Sequence, residues 1–271
     1  MASAFRAAFE RVGRPIVQLR SRARRWPAVA RPPAGGVLWI LAVTDGAIEA
    51  TARRVVDEGG MRRGDVVLHL AGMLGPTPLR ACAEAGAGVG AFHPLIAVAS
   101  ARRPPPIEGL AATLEGDARA WRAARWLGGT LGLSTARIVG VRRARYHAAA
   151  ALVASGAVAL AQQSAALMNS SGTGFGDKIA SRAAASLLRS AAHNVESLGA
   201  RRALASPLLR GDVPAIERHF AEMRENPGAL GIYLAVLDSL VSSLASDRAV
   251  AVPTLKRVRQ AIARARSVPV A

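Results

Sequence analysis

The chain has 271 residues, about half of them apolar, and a formal charge of +18. That is enough material for one large or two ordinary domains with buried cores, and it excludes a disordered polyelectrolyte. Lysine occurs only at 178 and 256, so the charge is nearly all arginine spread along an alanine- and glycine-rich chain, and aromatic residues make up only 4%. Few stacking side chains are available, which argues against nucleic acid as a partner.

A single cysteine, Cys82, leaves no disulfide framework and no cysteine-cluster metal site. His193 and His219 lack the paired carboxylates or close spacing of a metal centre, so no metal is expected. The longest apolar run, Ala148 to Ala161, is mostly alanine and shorter than the roughly 20 residues a bilayer span needs. No secretory hydrophobic segment follows the arginine-rich start. These features together predict a cytoplasmic protein without a membrane partner.

In chain order, Ala2 opens a helical stretch with Phe5 and Phe9 at helical spacing, and Gly13 supplies a turn. Ile16-Val17-Gln18-Leu19 then reads as a short strand that stops at Arg20-Ser21-Arg22-Ala23-Arg24-Arg25. This resembles a dinucleotide-binding unit from the last small residue of its G-x-G-x-x-G/A fingerprint onward, with Ala2 in that last position. The first strand and its glycine turn, roughly ten residues, would precede Met1, so the expectation is a reading frame extending upstream, the alternative being a protein that has lost its phosphate-binding loop. Where an acidic residue would bond the ribose of NAD, Arg20, Ser21 and Arg22 offer charge and donors for the 2′-phosphate of NADP. The alternative is a solubilising basic turn.

Val37 to Val43 is a continuous apolar run of the kind buried in a parallel sheet. It closes at Thr44-Asp45-Gly46, with Asp45 as N-cap of a helix from Ala47 to Asp57. Val43, Thr44 and Asp45 would line the crevice at the strand's carboxyl end. Asp65 to Leu70 repeats the strand, Ala71-Gly72 turns at its carboxyl end and is a further candidate for cofactor binding, and a helix runs to about Glu84. Gly88 to Phe92 is a third strand ending at His93-Pro94-Leu95, and Ala111 to Glu115 a fourth. Gly116-Asp117 then start a helix carrying Trp121 and Trp126, and Arg137 to Val141 is a final short strand.

From Arg142 the chain is alanine-rich and helical, with breaks near 170–176, 199–212, 226–228 and 250–253. The reading is α/β plus all-α: a doubly wound, Rossmann-like parallel sheet over 1–141 with its first strand missing, and a helical domain over 142–271.

Several residues are candidates for chemistry. His93 at the crevice side of its strand could donate a proton or hydrogen bond, or merely cap the strand. Tyr146 and His147 open the first long helix and could reach an interdomain cleft beside Arg143, one turn from His147. Arg143 and His147 would make a carboxylate-holding and proton-donating pair, while Tyr146 could simply pack. His69, in an apolar strand, reads as a core or crevice residue rather than a ligand. Arg210-Gly211-Asp212 reads as a turn in which Asp212 caps the next helix.

The ordered set Leu68-His69-Leu70-Ala71-Gly72, Phe92-His93-Pro94-Leu95, Arg143-Ala144-Arg145-Tyr146-His147-Ala148-Ala149-Ala150 and Ala203 to Asp212 resembles the DUF2520 family, over nearly the whole chain. Those proteins pair a Rossmann-like domain with a helical one. They are similar in layout to pyrroline-carboxylate reductases, ketopantoate reductases and hydroxyacid dehydrogenases.

The resemblance implies an NADP-dependent oxidoreductase acting on a small carbonyl, imine or hydroxyacid in the cleft. The alternative is a noncatalytic nucleotide-binding or scaffold protein, because the chain departs from the family pattern. Arg143 stands where the pattern has lysine, Ser155-Gly156 where it has Ser-Asn, and Ala71-Gly72 where it has Ser-Gly. Arginine stays protonated and suits holding a carboxylate better than giving up a proton. Helical domains of this layout pair, so a homodimer is expected, with Ala148 to Ala166 smooth enough for close helix approach.

Overall fold

The computed structural model describes residues 1–14, 16–19, 22–24, 26, 36–58, 60–247 and 250–267. It divides into two compact units, Met1–Leu152 and Val153–Ala271.

The first unit opens with helix α1 (Ala2–Arg11), whose buried face of Ala4, Phe5, Ala8 and Phe9 follows the i, i+1, i+4, i+5 pattern of one helical stripe. Among the described residues five strands follow: β1 (Leu38–Leu41), β2 (Val66–His69), β3 (Gly88–Pro94), β4 (Ala111–Gly116) and β5 (Ser134–Arg137). Between them lie α2 (Ile48–Asp57), α3 (Arg80–Glu84) and α4 (Ala118–Leu131). The sheet order is β1-β2-β3-β4-β5. All pairs are parallel except β3 with β4. That departure from an all-parallel sheet has a plain cause: residues 95–110 return as a loop, and only a parallel partner requires a crossover helix.

Alternation along each strand divides the core in two. Leu68, Phe92 and Leu114 pack with α1 and α4, including Phe5, Ala120, Ala124 and Leu127. Trp39, Leu41 and Val67 point the other way and pack with Ile48, Ala52, Val55, Leu79 and Cys82. The Cys82 thiol donates to the carbonyl of Ala52, and burial pushes its pKa up to about 11, which fits a structural role. Gly90 and Gly116 face each other across β3 and β4. A Cβ on Gly116 would stand 2.6 Å from the Val89 carbonyl oxygen, so glycine here permits the close approach of strands and of Ala120 on α4.

Several boundaries differ from expectation. Ile16–Leu19 is not a strand, and Ile16, Val17 and Gln18 are exposed. Apolar residues alone do not make a strand without a hydrogen-bonding neighbour, and among the described residues β1 pairs only with β2. The last strand is Ser134–Arg137 rather than 137–141, because β4 offers partners only from Ala111 to Leu114. Asp45 starts a single 3₁₀ turn, Asp45–Ala47, and its side chain caps nothing: α2 begins at Ile48 without a side-chain cap. Asp117, by contrast, accepts hydrogen bonds from Arg119 N and Ala120 N at the start of α4.

The long helix α5 (Arg143–Ser170) runs from the first unit into the second. The second unit continues with α6 (Gly176–Leu198), α7 (Pro207–Arg210), α8 (Val213–Glu222), α9 (Pro227–Asp247) and α10 (Val252–Ser267). Its core joins Val213, Ile216 and Phe220 of α8, Leu230, Leu234, Leu237, Val241 and Leu244 of α9, and Leu255, Val258 and Ile262 of α10. The α9 set recurs at alternating four- and three-residue steps, the seam of a helix packed along its length. Asp212 caps α8 by accepting from Ala215 N, after Gly211 ends α7 in the left-handed region. Among the described residues two helices, Arg143–Ser170 and Pro227–Ser246, are long and apolar enough to cross a membrane by length and composition; the second is part of this core.

Asp65, fully buried at the foot of β2, ties β1 to its neighbour. Its carboxylate accepts from Val37 N at 2.9 Å, Arg62 N at 3.0 Å and the Trp39 indole at 3.4 Å. Asp65→Ala strands these donors in the core and should lower unfolding free energy by about 2–4 kcal/mol in urea denaturation, with Asp65→Asn costing less.

Candidate functional site

Period-two alternation places four polar side chains on the sheet face opposite Leu68, Phe92 and Leu114: His69 on β2, His93 on β3, and Thr113 and Glu115 on β4. His93 and Thr113 are directly opposed in the antiparallel register. The first turns of α5 bring Arg143, Tyr146 and His147 to the same place. The Tyr146 hydroxyl shares one hydrogen bond with His93 Nδ1 at 3.0 Å and another with Thr113 Oγ1 at 2.8 Å. The His93 and His147 ring centroids are 6.2 Å apart.

Arg143 donates to the Glu115 carboxylate in a short contact and, at 3.4 Å, to the Gly72 carbonyl. Its buried Nε has no acceptor among the described residues. Gly72 is the point of closest approach: a Cβ there would lie 2.7 Å from His93 Cε1 and 2.9 Å from His147 Cδ2.

All four residues read from the sequence as catalytic candidates, His93, Arg143, Tyr146 and His147, thus lie together, with Gly72 against them. Thr113 and Glu115 were missed. The signal was the alternation Ala112-Thr113-Leu114-Glu115, which puts two polar groups on one face, but nothing local says that this face receives a helix N-terminus.

Electrostatics favour neutral imidazoles. Burial lowers the His93 pKa below its ordinary 6.5, His147 and Arg143 lower it further, and Asp45 opposes them. His69 is lowered chiefly by burial, against its hydrogen bond to Gly75.

The residues read as cofactor-binding divide differently. Arg22, Val43 and Thr44 line a hollow of about 460 Å³ at the carboxyl end of β1, together with Thr51 and Arg54 of α2. Arg54 was not anticipated. Glu58 and Trp26 hold it, the salt bridge at 2.8 Å and the indole centroid at 4.4 Å. Ala2, with Arg22 and Val43, lines a larger apolar cavity of about 720 Å³ between α1, residues 16–19 and β1. Asp45 is exposed beside the hollow, and Ala71 is buried at the end of β2. Arg20 and Ser21 lie outside the described residues. Because β1, β2 and β3 are mutually parallel, Thr44, Gly72 and His93 all stand at the same edge of the sheet. Among the described residues, no group of three or more His, Cys, Asp or Glu side chains could hold a metal ion.

Residues 110–239 match the family model described as Domain of unknown function (DUF2520), so the resemblance read from the motifs holds over that stretch, which contains Thr113, Glu115, Arg143, Tyr146 and His147. No curated protein matches the chain. Among solved structures, the fold is similar to protein TM1727 from Thermotoga maritima, at 20% identity and a TM-score of 0.60 over 79% of this chain and 81% of that one. It is also similar to BF3122 from Bacteroides fragilis, named a proposed NADP oxidoreductase, at 19% identity and a TM-score of 0.62 over 88% and 93%. At these identities the likeness establishes a Rossmann-like sheet followed by a helical region.

The two depressed imidazoles make stability depend on pH. A histidine whose folded pKa lies below its unfolded value stabilises the fold fully above about 6.5, and that contribution is lost as pH falls toward the folded pKa. The melting temperature should therefore fall from pH 7 to pH 5, and His93→Gln, with one such group fewer, should show a shallower fall by calorimetry.

Proposed function

We propose that this protein is an NADP-dependent oxidoreductase that reduces a small carbonyl or imine bearing a carboxylate, or runs the reverse reaction on the matching hydroxyacid or amino acid. The observation that carries the reading is the pairing of two features at one sheet edge: the hollow with Arg22, Arg54, Thr44 and Thr51, and the His93-Tyr146-Thr113 chain. The Bacteroides fragilis neighbour supports it at the level of fold.

The donor set suits a nucleotide phosphate. Two guanidinium groups and the Thr44 hydroxyl offer charge-assisted bonds to the 2′-phosphate that distinguishes NADP from NAD, while the Thr51 hydroxyl donates to the Ala47 carbonyl. NADPH, when bound, supplies the hydride. The chain's own groups supply the proton and the orientation. With Thr113 donating to Tyr146 and Tyr146 donating to His93 Nδ1, the imidazole proton sits on Nε2, from which it can pass to a substrate oxygen or nitrogen. His93 is held neutral near pH 7 by its lowered pKa, so loss of the Nε2 proton to substrate is balanced by the Tyr146 proton moving to Nδ1, the Thr113 proton moving to Tyr146 and solvent water returning one proton to Thr113. The unpartnered Arg143 Nε is a buried donor to a substrate carboxylate, while Glu115 and the Gly72 carbonyl hold the guanidinium still.

The same Arg143–Glu115 contact favours a second reading, a noncatalytic nucleotide-binding protein in which Arg143 is a structural tie. Calorimetric titration with NADPH and NADH separates these possibilities. NADPH should bind more tightly than NADH. Arg22→Ala should weaken NADPH by about tenfold and leave NADH nearly unchanged, since one charge-assisted bond is worth about 1.5 kcal/mol. Equal weak binding of both would overturn the NADP reading. NADPH binding without oxidation by any of a panel of 2-oxoacids and cyclic imino acids would favour the noncatalytic one.

A homodimer through the helical region belongs to the same proposal. No residue of α5 is buried, and Leu152, Val153 and Val158 are more than half exposed, as are Ile179 and Leu187 of α6. Residues 148–176 carry no ionisable side chain, so a chain of charge +18 can meet its copy there without repulsion. A strip about 10 Å wide along α5 and α6 amounts to roughly 800 Å² per copy, the size of a stable interface. Light scattering at micromolar concentration should give twice the mass of one chain, and Val158→Arg should halve it. A monomeric wild type, or one that sediments with phospholipid vesicles instead of pairing, would overturn this.

A further inference from the structure

His69, the last residue of β2, is fully buried and outside the chain of groups assigned to proton transfer. Its ring makes two hydrogen bonds of opposite sense. Nε2 donates to the Gly75 carbonyl at 2.9 Å, and Nδ1 accepts from Ala71 N at 3.2 Å. A backbone N–H can only donate and a carbonyl can only accept, so one tautomer satisfies both and the ring is neutral.

The two bonded groups are the two ends of the turn Ala71–Gly75. Among the described residues, the turn's other hydrogen bond is the one its Gly72 carbonyl accepts from Arg143. This turn touches the site without contributing a side chain to its chemistry. Gly72 lies under the rings of His93 and His147, and a Cβ on Gly75 would stand 3.6 Å from Glu115 Oε2.

We propose that His69 is a positioning residue: by clasping both ends of the Ala71–Gly75 turn, its ring sets the height of Gly72 beneath His93 and His147 and so keeps water away from the His93 imidazole. The importance of this for catalysis rests on the reading of His93 as proton donor. The geometric part stands apart from it. Arg143, His147 and Asp45 act on His93 by charge and Tyr146 through its hydrogen bond to Nδ1, and none of these residues is substituted when His69 is replaced.

The test is an NMR titration of the imidazole resonances in the full chain, which has only five histidines. In His69→Leu the turn loses both tethers, and the His93 pKa should rise toward its ordinary value by about half a unit or more as water reaches it. His69→Asn, which keeps an acceptor near the Nδ1 position, should give a smaller rise. If His69→Leu does not fold, His69→Asn and His69→Gln decide the matter, because each keeps only one of the two bonds to the turn and each should shift His93 in the same direction.

A His93 titration unmoved in the folded variants, with only the melting temperature lowered, would show a merely structural histidine and overturn the proposal. Neither cofactor nor substrate enters this experiment. Failure of NADPH to bind would therefore sink the functional reading while leaving the clasp standing, and an unmoved His93 would do the reverse.

Discussion

A side chain on a strand can point only to one face of the sheet or the other, and in β2, β3 and β4 that alternation does two jobs at once. Leu68, Phe92 and Leu114 go to the core beneath α1 and α4. Their neighbours His69, His93, Thr113 and Glu115 are then obliged to face the opposite side, the one that α2 and α3 cover over β1 and β2. Buried polar groups in such a place are costly unless paired, and the first turns of α5 supply the partners: Tyr146 for His93 and Thr113, and Arg143 for Glu115. The same packing that buries the core therefore assembles the candidate site.

The antiparallel β3–β4 pairing is part of this. It sets His93 directly against Thr113, close enough for one hydroxyl to bridge both, and the Gly90–Gly116 pair lets the strands and α4 approach. Glycine is used again at 72, where backbone rather than side chain occupies the space under two imidazoles. Charge works in the same direction. Burial and the nearby Arg143 both disfavour imidazolium, so the histidines are held as hydrogen-bonding groups rather than cations. Arg143 remains the fixed positive charge, partly answered by Glu115.

How much of this was legible depends on the range of the interaction. Phe5 and Phe9, the apolar runs of β1 to β4, a helix start at Gly116-Asp117, Asp212 as a cap, and the long α5 follow from periodicity and cap chemistry within one element. The failures are of another kind. Ile16–Leu19 has strand-like composition, but strand formation needs a hydrogen-bonded neighbour. Arg137–Val141 has the apolar residues, but β5 is placed by the register β4 offers. Asp45 has the right residue type for a cap, but the chain enters α2 through a 3₁₀ turn that leaves its carboxylate outside.

The candidate site divides along the same line. His93, Arg143, Tyr146 and His147 could be picked out one by one, because residue type and position at a strand end or helix start are local facts. By itself the sequence determined the alternation of strands and helices, the helical second half and the identity of these polar groups. Only the tertiary structure decided that Thr113 bridges to His93 through Tyr146, that Glu115 meets Arg143, and that Arg54 joins Arg22 and Thr44. Each of these pairs spans between 10 and 53 residues of chain, and which such groups meet is set by how sheets and helices stack, not by any spacing along the chain.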